Sequence, residues 1–141
     1  MEHQERNIIG RREWVNFADL GLSNIEAKID TGAYTSSIHC SDITTEGNMV
    51  SCIFLDPEYP QFTGEKLSFE IIKSVKVRSS NGQQEERYMI KTSIKVLGEV
   101  YPIRLTLTDR SNMNYPILLG RHFLRKKFLV DVTSIHQSDI L

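Results

Sequence analysis

The feature that most restricts the fold of this chain is a period-two alternation of apolar and polar side chains, recurring in short runs closed by turn residues. From Leu67 to Val77, β-branched and aromatic residues alternate with charges, as in Ser74-Val75-Lys76-Val77-Arg78, which favours strand over helix. Asn81-Gly82 follows and is the strongest local hairpin signal, because both central positions of a type I′ turn need positive φ. Alternation returns over Arg87–Val96. Gly98 marks a second hairpin, whose other arm runs from Val100 to Thr108. Pro102 has no N–H to give a ladder, so that arm is expected at an edge or a bulge. Successive side chains on a strand point to opposite faces, and a helix cannot put this pattern on one side.

The remaining segments are read the same way. Residues 1–7 are polar and expected to fray, with Ile8-Ile9-Gly10 opening the ordered part. Trp14, Val15 and Phe17 supply an early apolar cluster of ambiguous secondary structure, and Asp19–Asn24 is turn chemistry before a strand entered at Ile25. Tyr34–Ser37 reads as a loop returning to extended chain at Ile38-His39-Cys40. Thr44–Asn48 reads as a turn around Gly47, and Met49–Leu55 as a strand. Pro57, Pro60 and Gly64 mark a surface loop, Ile117-Leu118-Leu119 a buried strand, Arg121–Lys127 a short helix and Phe128–Val132 a last strand. The sum is an all-β chain of about seven or eight short strands with at most one helix, hence a small closed barrel or sandwich.

At 141 residues and 40% hydrophobic content the chain can bury one core, so a single domain over residues 1–141 is expected, ordered from about residue 8 to 134. Seventeen basic residues against eighteen acidic ones leave a formal charge of −1, and no overall field favours nucleic acid or an anionic membrane. No apolar run of about 18 residues occurs and the start is too polar for a secretory signal, so a soluble, cytoplasmic protein is expected. Cys40 and Cys52 are expected as two thiols rather than a disulfide.

Chemistry concentrates at Ala27-Lys28-Ile29-Asp30-Thr31-Gly32-Ala33, where an alternating strand ends on a carboxylate just before a glycine turn. Taken alone, Asp30-Thr31-Gly32 also suits an ordinary strand-to-turn junction. Far downstream stands Ile117-Leu118-Leu119-Gly120-Arg121, with the Asn81-Gly82 hairpin between. Together these resemble the two signature elements and the flap of a retropepsin-type aspartic protease. More narrowly, Lys28–Ala33, Val77–Gly82, Leu107-Thr108-Asp109-Arg110-Ser111 and Leu118–Arg121 resemble a bacterial family labelled "ATP-dependent zinc protease" and often linked to ATP-grasp glutamate ligases of the RimK type. The resemblance runs from about Gly10 to Val132.

It implies a closed acid-protease barrel of about six to eight strands with one short C-terminal helix. It also implies a homodimer, in which Asp30 of each subunit meets on the two-fold axis and the pair shares one proton, one carboxylate acting as base and the other as acid. Thr31 would hydrogen-bond across the dyad, and Gly32 would let substrate backbone approach. Ala33, with the flap residues Arg78, Ser80, Asn81 and Gly82, would bind substrate. Leu119, Gly120 and Arg121 would support the catalytic loop from behind. The implied substrate is a peptide or a polyglutamylated protein, and the implied partner an ATP-grasp ligase, with no nucleic acid or membrane involved.

The chain departs from the retropepsin pattern twice. Tyr34 stands where a second aspartate usually pairs with the arginine after the later glycine, so Arg121 needs another partner, with Asp109 and Asp131 as candidates. The flap segment Arg78–Arg87 is polar and charged; it either closes on a polar substrate or is simply an exposed hairpin. No cofactor and no metal site is expected: His-Glu-x-x-His is absent, no phosphate-binding glycine loop occurs, and His39, Cys40 and Cys52 are the only cluster worth weighing for zinc. Two alternatives therefore stand beside the aspartic peptidase: a non-catalytic binding or regulatory module on the same barrel associated with a ligase, and a zinc-dependent protease.

Overall fold

The structure is a computed structural model that describes residues 6–78, 82–109 and 114–137. Its strands are β1 (Asn7–Ile9), β2 (Arg12–Phe17), β3 (Leu22–Ile29), β4 (Ser36–Glu46), β5 (Met49–Phe54) and β6 (Lys66–Glu70). They continue with β7 (Lys73–Arg78), β8 (Gln84–Val96), β9 (Glu99–Thr108), β10 (Ile117–Leu119) and β11 (Phe128–Val130), and one helix, α1, covers Arg121–Leu124.

Six strands close on themselves in the order β10-β3-β2-β8-β9-β4, because β10 also pairs β4. Closure leaves this ring without a free edge. It is the retropepsin-like barrel expected, with one short helix after the last ring strand. Outside it, β4 continues past the ring to pair β5, β5 pairs β6, and β7 extends β8. The chain ends form a separate parallel pair, Asn7↔Phe128 to Ile9↔Val130.

Burial alternates with period two along β2 without following the polarity of its residues. It places Glu13, Val15 and Phe17 inside and leaves Arg12, Trp14 and Asn16 half-buried. Trp14 thus parts from its expected cluster and stacks on His136, ring centroids 4.5 Å apart. Glu13 takes an inward position with no exposure, where its carboxylate accepts from Gly10 N–H (2.9 Å) and Gln137 N–H (2.8 Å). Val15, Phe17, Ile25, Ile90, Leu105 and Ile117 fill the barrel. Each such side chain contributes about 1.5–3 kcal/mol by leaving water.

Several expected boundaries move. The segment from Leu67 to Val77 is not one strand: β6 pairs β5 whereas β7 pairs β8, so the alternating run breaks at Ile71-Ile72 to serve two sheets. Strand β3 begins at Leu22 rather than Ile25, after a 3-10 turn over Ala18–Leu20 that ends on Gly21 at φ 68°. Strand β4 begins at Ser36 inside the expected loop and reaches Glu46, which leaves only Gly47 and Asn48 as the turn.

The hairpin between β7 and β8 forms, pairing Arg78↔Gln84, but Ser80 and Asn81 lie outside the described residues. The second expected hairpin turns at Leu97-Gly98, two residues with both φ positive (51° and 83°), closing Val96↔Glu99. Pro102 pairs only Ser93 on β8, since β4 joins β9 from Leu105 onward, so the proline sits on a locally unpaired flank as expected.

Candidate active-site loop

Strand β10 decides where Asp30 sits. Its three residues run between β3, in parallel (Ile117↔Ala27, Leu119↔Ile29), and β4, antiparallel (Ile117↔Ile38, Leu118↔Ser37). With both flanks paired and Ile117 and Leu119 buried, the strand sits inside the sheet, which suits the apolar Ile-Leu-Leu run. Asp30 N–H donates to the Leu119 carbonyl at 2.9 Å, so the residue that ends β3 is pinned to the end of β10.

From there the loop turns tightly. Gly32 N–H donates to the Asp30 carboxylate Oδ1 (3.1 Å) and Ala33 N–H to the Asp30 carbonyl (3.2 Å). A Cβ on Gly32 would lie 3.3 Å from that Oδ1, close enough to disturb the carboxylate it serves. Asp30 itself is half-buried, while Thr31 and Gly32 are exposed.

The segment after β10 grips the same loop from behind. Arg121 N–H donates to the Ala33 carbonyl (2.8 Å), His122 N–H to the Tyr34 carbonyl (2.9 Å), and Gly120 N–H to the buried Ser36 hydroxyl (3.0 Å). Gly120 has an extended backbone (φ −94°, ψ 177°), so its role is space: a Cβ there would fall 2.6 Å from the Thr35 carbonyl oxygen and 2.7 Å from that of Tyr34. The structure thus brings Asp30, Thr31, Gly32 and Ala33 against Leu119, Gly120 and Arg121.

Arg121 does not take Asp109 or Asp131. Its guanidinium donates to the Thr31 carbonyl (2.9 Å) and lies over the Tyr34 ring, 5.8 Å from the centroid. Tyr34, the residue that removed the expected carboxylate, therefore replaces the lost ion pair with a cation–π contact. Asp131 is occupied by the Thr133 amide and hydroxyl, which hold its carboxyl below the usual range. Ser36 and the Tyr34–Arg121 pair are the supports that sequence reasoning missed. The only sequence signal for them was a small polar residue and an aromatic following the glycine turn.

Arg78 and Gly82 are exposed at the end of the β7–β8 hairpin, Gly82 with φ 85°. No hydrogen bond or ion pair among the described residues joins them to the Asp30 loop. Of the zinc candidates, the His39 ring is bonded to Asp56 Oδ1 at 2.9 Å. The Cys40 thiol is pushed far up by its hydrogen bond to Cys52 and by burial, which disfavours the thiolate a metal needs. Among the described residues no three His, Cys, Asp or Glu side chains gather closely enough to hold a metal.

Beside the loop, Tyr34, Thr35 and Ser36 form one wall of a cavity of about 230 Å³ completed by Lys73, Met89, Arg104, His122 and Phe123. Tyr34 meets the His122 ring edge-on at 5.5 Å. Burial, then the charges of Arg125, Arg104, Lys127 and Lys73, hold the His122 imidazole below its usual pKa.

Comparison with known proteins gives a consistent placement. A family model described as "RimB-like: Retropepsin-like aspartic endopeptidase RimB" matches residues 8–138. Proteins named "Probable alpha-L-glutamate ligase" from Shewanella pealeana and Desulfotalea psychrophila are 38% and 33% identical over 88% and 89% of this chain. The chain spans only 28% of the length of each. A solved structure of a Legionella pneumophila protein of unknown function superposes with a TM-score of 0.76 at 27% identity, covering 95% of this chain and 99% of that one.

Proposed function

The chain belongs to the RimB-like family of retropepsin-like aspartic endopeptidases, and on that premise we propose that it is a homodimeric aspartic peptidase whose two Asp30 carboxylates share one proton. The observation that carries this reading is the Asp30 loop itself. Its carboxylate is oriented by the Gly32 amide, and its backbone is clamped to β10 by Leu119, Gly120 and Arg121. Such rigid placement is what a reacting carboxylate requires, because small displacements cost rate heavily.

One chain supplies one Asp-Thr-Gly, so the dyad needs a second copy related by a two-fold axis. Two carboxylates in contact cannot both ionise easily, and one keeps its proton at working pH. The ionised Asp30 takes a proton from water as the water oxygen bonds to the substrate carbonyl carbon. The protonated Asp30 of the partner subunit gives its proton to the carbonyl oxygen. Collapse of the tetrahedral intermediate breaks the C–N bond as a proton passes to the leaving nitrogen, yielding acid and amine and restoring the shared proton.

The substrate class proposed is a peptide or an amide made by glutamate ligation. Support comes from the relatives named for alpha-L-glutamate ligation, of which this chain matches a minor part, so an ATP-grasp ligase is the proposed partner. Asp30→Asn tests the proposal: hydrolysis of a glutamate-tailed protein should fall by at least about 10³-fold, since groups acting as a unit lose their effect together. Sedimentation should show an unchanged dimer. Full activity in Asp30→Asn, or a wild-type protein that is monomeric while active, would refute it.

A second reading, a binding module that regulates a ligase without cleaving, draws on the charged β7–β8 hairpin, where Arg87 pairs with Glu85 at 3.4 Å. Wild-type protein that alters ligase output while showing no hydrolysis would favour it.

A further inference from the structure

We propose that the cavity between Lys73, Arg104 and His122 is a carboxylate subsite that seats an acidic side chain of a peptide, with Lys73 and Arg104 as specificity-determining residues. The proposal rests on the peptidase reading for its position along a substrate, while its chemistry stands on the cavity alone.

Charge is the first argument. The chain carries a formal net charge of −1, yet two separate elements, β7 and β9, bring the cations Lys73 and Arg104 to this cavity, α1 adds the imidazole of His122, and the lining holds no acidic residue. A neighbouring cavity shares Arg104 and His122, adds Lys91 and Lys127, and again has no acid. Among the described residues, ion pairs engage Arg12, His39, Lys66, Arg87 and His136, and none involves Lys73 or Arg104. Glu99, which lines a further cavity that also includes His122, accepts from the Tyr101 hydroxyl at 2.9 Å. Cations gathered without counter-charge in a concave site raise the local concentration of anions.

Shape and position narrow the ligand. About 230 Å³ is below the usual size of a drug-like pocket and suits one side chain. Met89 and Phe123 offer apolar surface for methylene groups, while Lys73, Arg104, Tyr34 and Ser36 offer polar contacts, a combination that matches a short aliphatic stem ending in a carboxylate. The Tyr34–Ser36 wall belongs to the loop that begins at Asp30, so a chain seated here continues toward that carboxylate. A site for nucleic acid would instead call for a groove with aromatic stacking platforms.

The test separates binding from cleavage. Fluorescently labelled tetraglutamate and tetraglutamine are titrated by anisotropy into Asp30→Asn protein, which cannot turn them over. Tetraglutamate should bind at least about tenfold tighter, and Lys73→Gln with Arg104→Gln should remove that advantage while leaving tetraglutamine unchanged. The charge-conserving pair Lys73→Arg and Arg104→Lys should retain affinity within about threefold, and Lys66→Gln, whose lysine already pairs with Asp42, should have no effect.

Equal binding of the two peptides, an equal loss of both in the glutamine variants, or stronger competition by inorganic tripolyphosphate or a short RNA than by free tetraglutamate would overturn the assignment. Tight, Lys73- and Arg104-dependent binding in a wild-type protein that never hydrolyses would sink the peptidase reading alone.

Discussion

Gly120 offers the most direct test of how the Asp30 loop is held. Alanine there would place Cβ 2.6 Å from the Thr35 carbonyl oxygen and 2.7 Å from the Tyr34 carbonyl oxygen, where ordinary contact begins at 3.4 Å. The obstacle is backbone rather than a flexible side-chain end, so the loop must retreat by most of an ångström. The His122 N–H to Tyr34 bond of 2.9 Å and the Gly120 N–H to Ser36 bond of 3.0 Å would both stretch.

Overpacking typically costs about 1–3 kcal/mol and each weakened hydrogen bond about 1 kcal/mol, so a loss of about 3 kcal/mol is expected. With a urea slope near 2 kcal/mol/M, the unfolding midpoint should drop by roughly 1.5 M. Gly98→Ala is the control: Gly98 has φ 83° with nothing within 4 Å of a Cβ, so only backbone strain applies, about 1 kcal/mol. A Gly120→Ala loss below about 1 kcal/mol, or below that of Gly98→Ala, would refute the close-approach argument. The proposed peptidase activity should fall about 10²-fold in Gly120→Ala even below the unfolding midpoint, because the displaced loop carries Asp30.

Tyr34→Phe should keep the contact with Arg121 and change stability little, whereas Tyr34→Ala should cost about 0.5–1 kcal/mol, read by thermal unfolding; equal effects of the two would discard the cation–π account. His122 has a folded pKa below its unfolded value, from burial and then from neighbouring cations, so the folded state favours the neutral ring. The unfolded chain then binds the proton first as pH falls, and stability should decline from about pH 6.5 downward until the folded pKa is passed. His122→Gln should flatten that slope in urea titrations, and an unchanged slope would exclude this group as its origin. Cys40 and Cys52 are buried free thiols, so neither should react with a thiol reagent in the native protein, and both should react after denaturation without reductant. Recovery of a disulfide instead would contradict the structure.

Much of the fold was legible locally. The hairpin of β8 and β9 arises between near neighbours, where the period-two pattern selects one face and one turn closes the pair, whereas β2, ambiguous in the sequence, took its strand form from its partners β3 and β8. Asp30 before Thr31-Gly32 was legible for the same reason, since a strand ending on a carboxylate and a glycine turn is written in consecutive residues. Leu118-Leu119-Gly120-Arg121 was found as a motif, and its apolar run implied burial.

What the sequence could not state was which strands meet. Three residues carry no readable period, so β10 owes its place between β3 and β4 to partners distant in the chain, and that insertion closes the ring and pins Asp30. One alternating run from Leu67 to Val77 served two sheets because burial, not alternation, decides the partner. Arg121 found Tyr34 and the Thr31 carbonyl rather than a carboxylate, and Lys73, Arg104 and His122 converged from three elements. Local alternation thus sets the strand type, whereas closure, long-range register and the charges gathered at one cavity exist only once the whole chain has packed.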